Sequence, residues 1–186
     1  AVPVGAGAMA AILGLELDAV RAVAGEAAEG QVCGLANDNA PGQIVLSGDR
    51  AAVERAVVLA KARGGKAIML PVSAPFHCTL LQPAADAMAE ALAGTSLGAP
   101  HLPLVSNVTA SAVTDPDDIR GLLVEQVTAM VRWRESVLYM KAQGVEQLVE
   151  LGAGKVLTGM IRRIDPEMTG LSVQTPADLD GLVKQL

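Results

Sequence analysis

Aromatic residues are almost absent from this 186-residue sequence, which contains one Trp, one Tyr and one Phe. Any core that it forms must therefore be almost wholly aliphatic. Basic residues are also outnumbered, with 14 Lys and Arg against 20 Asp and Glu, which leaves a net charge of -6. This balance argues against nucleic acid as a partner, because phosphate binding needs an excess of positive charge.

Long apolar runs and paired cysteines are missing as well. No stretch of about eighteen uncharged apolar residues is present, so we expect no membrane span, and no basic segment precedes an apolar core as in a secretion signal. Cys33 and Cys78 stand alone without metal-ligand spacing, which fits a reducing compartment. With 51% hydrophobic residues the chain has enough apolar material for a core. We therefore expect a soluble, cytoplasmic α/β protein.

The first part of the chain alternates apolar runs with amphipathic segments. Strands are predicted at 8–13, 32–36, 43–47 and 66–70, with helices that begin near Asp18 and Asp49. The intervening Asn-Asp-Asn-Ala-Pro-Gly stretch over 37–42 is predicted to be a turn. The resulting βαββαβ order predicts a ferredoxin-like subdomain over residues 6–72, with two helices on one face of an antiparallel sheet.

The remaining residues, 73–186, alternate helices with short strands, which predicts a parallel sheet. Helices are predicted over 82–93, from Asp115 to about 128, over 134–143 and 156–164, and from Pro176; strands are predicted over 104–108, 147–151 and 171–173. Three short strands make a poor sheet, so we expect this part to be the end of a larger layered domain. The opening Ala1-Val-Pro-Val-Gly, without an initiator Met, also reads like the middle of a longer sequence.

His77 is the most promising catalytic candidate. It follows a predicted strand and the prolines Pro71 and Pro75, which fix φ and prevent a helix through the turn. A histidine whose position is set by the backbone suits a general base. The alternative is a half-buried loop histidine without a chemical role.

A match to a nucleophile motif elsewhere in the chain lacks the flanking secondary structure that the motif requires. Gly94-Thr-Ser-Leu-Gly98 matches the G-x-S-x-G pattern, but a nucleophile elbow needs an entering strand and a leaving helix. Here a helix is predicted to enter and a proline-rich linker to leave, so we interpret the segment as a helix end. Cys78 is predicted to be a buried thiol, since side chains adjacent in sequence seldom face each other.

Five segments, taken together and in order, resemble one known family, the malonyl-CoA:acyl-carrier-protein transacylases. The resemblance covers the whole chain. The segments are Ser73-Ala-Pro-Phe-His-Cys78, Ala36-Asn-Asp-Asn-Ala-Pro-Gly-Gln43 with Leu46-Ser-Gly48, Ser106-Asn-Val-Thr109, Gln126 followed by Trp133, and Glu150-Leu-Gly-Ala-Gly-Lys-Val-Leu-Thr-Gly159.

The resemblance implies a fold, a reaction and a set of residues. It implies that 73–186 is the C-terminal part of an α/β-hydrolase-like acyltransferase subdomain. The implied reaction moves malonyl from coenzyme A to the phosphopantetheine thiol of acyl carrier protein in fatty acid biosynthesis, through a serine acyl-enzyme and without a cofactor. His77 matches the base and Gln126 the residue whose main-chain carbonyl orients it. Phe76 matches a position that shapes the acyl pocket in related acyltransferase domains. Asn39 is expected in a loop that the small subdomain holds over the cleft, where it could contact the acyl group, although an Asx turn before Pro41 explains it at least as well.

Basic residues are concentrated late in the chain, within an acidic protein. The default interpretation is a solvated face, and the alternative is a docking surface for an acidic carrier protein. The residues concerned are Arg132, Arg134, Lys141, Lys155, Arg162 and Arg163.

Two parts that the resemblance requires are absent from the sequence. These are the Gly-His-Ser-x-Gly elbow and the arginine that pairs with the malonyl carboxylate. Both precede the matched segments in the family, so we expect them on a missing N-terminal part, and we expect this chain alone to be inactive. Two other functions stay open: an acyltransferase fragment of a larger synthase with another acyl substrate, and a non-catalytic binding module.

Overall fold

The first six elements form a small α/β sandwich. The structure is a computed structural model that describes residues 2–184. In chain order the elements are β1 (Gly7–Leu13), α1 (Leu17–Ala28), β2 (Cys33–Ala40), β3 (Gln43–Asp49), α2 (Arg50–Ala62) and β4 (Lys66–Met69). The sheet order is β2-β3-β1-β4 with antiparallel neighbours throughout. The predicted ferredoxin-like βαββαβ order is therefore confirmed.

The core of this sandwich is aliphatic, as the scarcity of aromatic residues requires. Alternate side chains of a strand lie on the same face of the sheet. On the face of β1 that packs against the helices, Ala10 and Ile12 are completely buried. Val20 and Val23 of α1 and Val53 of α2 belong to the same cluster. A smaller cluster on the opposite face contains Met9, Ala36 and Val45, with Leu70 packed against it.

Strand β2 corrects one prediction from the sequence. The Asn37-Asp-Asn39 stretch, predicted to be part of a turn, continues β2 as far as Ala40, and only Pro41 and Gly42 form the turn. Asn37 pairs with Val45 and Asp38 with Ile44, across two irregularities in the register. Pairing with β3 outweighs the local turn preference of Asn and Asp, because strand formation depends on the neighbouring strand.

The middle of the chain is mostly helical. It contains a 3₁₀ turn (Thr79–Leu81), α3 (Gln82–Ala93), β5 (Leu104–Val105), β6 (Ala112–Val113), α4 (Pro116–Glu125) and α5 (Trp133–Ala142). The predicted strand over 104–108 is wrong in extent, since it stops at Val105 and turns into an antiparallel hairpin with β6. The predicted start of α4 is confirmed, because the Asp115 carboxylate caps it by accepting from the amides of Asp117 and Asp118.

The last elements form a parallel βαβ unit followed by a helix. They are β7 (Gln147–Leu151), α6 (Thr158–Ile164), β8 (Thr169–Val173) and α7 (Pro176–Val183), and β7 pairs with β8 in parallel as predicted. Glu150 on β7 caps α6, accepting hydrogen bonds from the amide and the hydroxyl of Thr158 at 2.8 and 2.6 Å. Helix α6 begins at Thr158, two residues later than the predicted Val156.

Contacts divide the chain into two compact units, residues 1–136 and 137–186. The subdomain limits expected from the sequence, 6–72 and 73–186, stay predictions. None of the helices between residues 2 and 184 has the length and hydropathy that crossing a membrane would require.

Candidate active site around His77

His77 lies in an irregular segment between β4 and the 3₁₀ turn, in the first unit. Its φ is +58°, in the left-handed region that residues other than glycine rarely occupy. Such a strained conformation is kept only where the surrounding contacts hold the backbone in place, and it is common at functional sites. The residue is half-buried.

The ring of His77 is oriented by a main-chain carbonyl. Its Nδ1 lies 3.0 Å from the carbonyl oxygen of Gln126. A carbonyl oxygen can only accept, so Nδ1 carries the proton and donates it, which leaves Nε2 of the neutral ring as an acceptor. The arrangement is that of a base whose tautomer is set by one hydrogen bond.

The carbonyl of Gln126 is available because of its place in the chain. Gln126 follows the last residue of α4, and its amide donates to the carbonyl of Leu122. The last carbonyls of a helix have no partner within the helix, so they accept from elsewhere. The carboxamide of Gln126 accepts in turn from Nδ2 of Asn107 at 3.2 Å. Asn107 belongs to one of the family-like segments, but nothing in the sequence singled it out.

Cys78 does not form a dyad with His77. Its side chain is 6% exposed, and Sγ donates to the carbonyl of Pro75 at 3.1 Å. The expected buried thiol is thus observed. The burial of Cys78 and Pro75 also anchors both sides of the His77 turn.

The two residues matched to the acyl group are placed differently from His77. Phe76 precedes the base directly and its side chain is 41% exposed. Asn39 lies on β2, half-buried, and not in a loop, which corrects its predicted setting. Within residues 2–184, the structure shows no hydrogen bond between the Asn39 side chain and the imidazole of His77. Their roles stay predictions.

The basic residues late in the chain are not simply a solvated face. Arg132 pairs with Glu135, Arg134 with Asp38, and Lys141 with Asp165 and Glu167. The hydrogen bond to Glu135 raises the pKa of Arg132, and the bond from Arg132 lowers the pKa of Glu135. Arg134 also has a raised pKa, chiefly through its hydrogen bonds to Asp38.

The G-x-S-x-G stretch has the backbone that was expected of a helix end. Helix α3 ends at Ala93, the amide of Thr95 donates to the carbonyl of Leu92, and residues 96–100 have no regular structure. No strand enters Ser96, so this serine is not on a nucleophile elbow. Among residues 2–184, no group of three or more His, Cys, Asp or Glu side chains is placed to bind a metal ion.

Comparison with known proteins identifies relatives along the whole chain. "Malonyl CoA-acyl carrier protein transacylase" of Escherichia coli K12 is 49% identical over 178 residues, which cover 95% of this chain and 58% of that protein. A crystal structure of an acyl carrier protein S-malonyltransferase from Vibrio cholerae is 48% identical, with a TM-score of 0.95, and the match covers 97% of this chain and 60% of that one.

A third match is a complex. It is a type II PKS acyl-carrier protein with its malonyl-transacylase, 41% identical to this chain, with a TM-score of 0.96 over 100% of this chain and 60% of that one. The chain belongs to the malonyl CoA-acyl carrier protein transacylase family. It matches the C-terminal portion of these relatives. It spans about 60% of the length of these relatives. No protein-family model matches the sequence.

The transacylase fold confirms the expected fold class. The small antiparallel sheet and the α/β segment after it follow the path that the solved transacylases take. The family resemblance that rested on five sequence segments is likewise confirmed by identity along nearly the whole chain.

Proposed function

We propose that this chain supplies the general base, and the elements that orient it, for transfer of malonyl from coenzyme A to acyl carrier protein in fatty acid biosynthesis. The observation that carries the proposal is the 3.0 Å contact between Nδ1 of His77 and the carbonyl of Gln126. The transacylases to which the chain is similar support the choice of reaction.

In the proposed reaction His77 acts on a serine that this chain does not contain. Nε2 accepts the proton of the serine hydroxyl while Oγ attacks the thioester carbonyl of malonyl-CoA. The carbon–sulfur bond breaks, and the imidazolium returns the proton to the sulfur of coenzyme A. In the second half, Nε2 takes the proton of the phosphopantetheine thiol, whose sulfur attacks the acyl-serine ester, and the serine oxygen recovers that proton as it leaves.

The carbonyl of Gln126 has an electrostatic role in both halves. When Nε2 is protonated the ring is positively charged, and the bond from Nδ1 to a carbonyl becomes charge-assisted. Charge-assisted hydrogen bonds are roughly twice as strong as neutral ones. The contact therefore stabilises the imidazolium that forms as the serine or the thiol loses its proton.

The serine and the arginine for the malonyl carboxylate would come from an N-terminal part of the enzyme. Groups that act as a unit fail together, so the 186-residue chain alone should form no acyl-enzyme. Phe76 and Asn39 are proposed to border the acyl group. For Phe76 the 41% exposure of an aromatic side chain next to the base supports this role.

Acyl carrier protein is the proposed protein partner, and the transacylase–carrier complex among the similar structures supports it. The ion pairs of Arg132, Arg134 and Lys141 make those three less able to meet an acidic partner. The docking proposal therefore depends mainly on the exposed Lys155 and Arg162. A Michaelis constant for the carrier protein that rises steeply with salt would support it.

We propose a cytoplasmic location and no cofactor beyond the two substrates. Both cysteines are free thiols, which fits a reducing compartment.

An intact-mass experiment tests the central proposal. The chain is incubated with malonyl-CoA alone and together with an N-terminal segment that carries the serine elbow, and each polypeptide is then weighed under denaturing conditions. We expect a malonyl adduct only in the mixture and only on the N-terminal segment. An adduct on the chain itself, or an N-terminal segment that acylates as fast without the chain, would refute the assigned role. Competing acyl-CoA thioesters in the same assay test the malonyl specificity.

A further inference from the structure

The segment between α4 and α5 is bound at both ends by one residue, Asn107. Nδ2 of Asn107 donates to Oε1 of Gln126 at 3.2 Å, and the carbonyl of Asn107 accepts from the amide of Arg132 at 3.0 Å. Gln126 begins this segment and Arg132 ends it. A single residue thus spans the loop whose first carbonyl orients the imidazole of His77.

Asn107 is itself set in a tight turn. It lies between β5 and β6. In this turn the amide of Ser106 donates to the carbonyl of Ser111 at 3.1 Å, and the amide of Ala110 donates to the carbonyl of Ser106 at 2.9 Å. The hydroxyl of Ser106 accepts from the amide of Val108, and the Ser106 side chain is 5% exposed. Ala110 has a φ of +51°, which closes the turn. The carboxamide of Asn107 therefore projects from a rigid hairpin.

The surroundings of the amide pair are mostly aliphatic. Asn107 and Gln126 border a cavity of about 90 Å³ whose other lining residues include Leu104, Ile119 and Leu122. Where few polar groups compete, a hydrogen bond between two amides is stronger than the same bond in open water. The pair thus limits how far the Gln126 residue can rotate.

We propose that Asn107 is a positioning residue for the His77 base, acting through Gln126. The partner of Nδ1 is a main-chain oxygen, so its direction follows the peptide plane of Gln126 and not the identity of the side chain. Holding the carboxamide of Gln126 restricts that plane, and the plane in turn selects the tautomer with the proton on Nδ1. The catalytic part of this inference rests on the proposed transacylase function.

Matched variants separate this role from a general structural one. Asn107→Leu removes the donor and preserves the approximate volume and the Asn107 carbonyl. Gln126→Leu removes the same bond from the other side and preserves the carbonyl that meets His77. The control is Gln82→Leu, which removes an exposed amide–carboxylate bond to Asp86 on α3.

The direct readout is the ¹⁵N chemical shifts of the histidine rings in the complete protein that carries this chain. His77 and His101 are the only two histidines of the chain, so His101 serves as an internal reference. In the unaltered protein and in Gln82→Leu we expect His77 to report one tautomer, protonated at Nδ1. In Asn107→Leu and in Gln126→Leu the shifts of His77 should move toward a mixture of both tautomers while those of His101 stay unchanged.

The second readout is the turnover of malonyl transfer. Each single variant should lower kcat by about twofold to tenfold, the range set by one hydrogen bond, with little change in KM. The double variant should lose no more than either single one, since both remove the same bond. If Asn107→Leu does not fold, Gln126→Leu provides the same test.

Unchanged His77 shifts in Asn107→Leu or Gln126→Leu would overturn the inference whatever the activity. Shifted His77 signals in a protein without transferase activity would support the positioning role and refute the proposed function instead. Multiplicative losses of kcat in the double variant would show that the two residues act separately, which also overturns the inference.

Discussion

Arg134 and Asp38 form an ion pair in which the carboxylate is almost wholly inaccessible. Nε of Arg134 lies 3.1 and 2.9 Å from the two carboxylate oxygens of Asp38, and Nη2 lies 2.8 Å from Oδ2. The Asp38 side chain is 1% exposed and the Arg134 side chain 29%. Beside this pair, the amide of Asp38 donates to the carbonyl of Val131 at 2.9 Å. Strand β2 is thereby joined to the end of the segment that begins at Gln126.

The unequal burial of the two partners predicts unequal costs of removing them. Arg134→Leu leaves a buried, uncompensated carboxylate and should lower the free energy of unfolding by about 3 kcal/mol or more. Asp38→Asn should cost less, because Arg134 can reach water. Chemical denaturation of both variants measures the difference. The exposed pair of Arg50 and Glu54 is the control, for which Glu54→Gln should cost at most about 0.5 kcal/mol. Equal costs for Arg134→Leu and Asp38→Asn would contradict the argument.

The main-chain origin of the His77 contact predicts a contrast between two alanine variants. His77→Ala removes the base and should lower kcat of malonyl transfer by about 10²- to 10⁴-fold in the complete enzyme. Gln126→Ala retains the carbonyl that accepts from Nδ1 and should stay within about tenfold of the unaltered enzyme. Steady-state kinetics of the two variants decide the point. Comparable losses would mean that the side chain of Gln126, and not its carbonyl, is essential.

Acid should destabilise the second unit through Glu150. Hydrogen bonds from Thr158 lower the pKa of Glu150 below its ordinary 4.5, and the bond from the hydroxyl has a larger effect than the bond from the amide. The folded state therefore binds this proton less readily than the unfolded state, so the contribution is present above pH 4.5 and is lost as the pH falls through the lower, folded value. Urea unfolding at a series of acidic pH values should show stability that decreases toward acid.

Glu150→Gln should flatten that dependence, because it removes the titrating group. Glu90→Gln, at an exposed position on α3, is the matched control and should leave the dependence as it is. If the stability of Glu150→Gln falls toward acid as steeply as that of the unaltered protein, the cap at α6 makes no contribution to acid sensitivity.

Cys33 should be a poor nucleophile in the folded protein. Burial raises the pKa of its thiol to about 11, while the nearby Arg55 lowers it by less. The reactive thiolate is therefore scarce at neutral pH. We expect slow alkylation by iodoacetamide under native conditions and rapid alkylation of both cysteines in denaturant. Cys33→Ser assigns the label, and fast native labelling that this variant abolishes would contradict the expectation.

Elements with strong local signals could be predicted from the sequence. Helix α3 and strand β7 have the predicted limits, and Asp115 caps α4 as its position before Pro116 indicates. The failures occur where tertiary contacts compete with local preference. Asn37 and Asp38 favour a turn, but their pairing with Val45 and Ile44 keeps them in β2.

Some residues of the candidate site could likewise be predicted from the sequence, and others could not. The prolines before His77 and the resemblance to transacylases pointed to this histidine from sequence alone, and the resemblance also pointed to Gln126. Asn107 lies in one of the segments that carry the resemblance, but no role was predicted for it, because an amide that binds another amide at a distance of 19 residues leaves no periodicity or spacing in the sequence. Asp38 was likewise assigned to a turn, although it is the buried partner of Arg134.

The sequence by itself determined the aliphatic core, the βαββαβ order and the family, because periodicity, composition and segment order are local or linear properties. Only the tertiary structure decided which groups meet. The imidazole of His77 reaches the carbonyl of Gln126 across 49 residues, and Asp38 reaches Arg134 across 96. Such contacts depend on how the helices and strands pack, and hydrogen bonds act over about 3 Å, so the chemistry of this site depends on the fold.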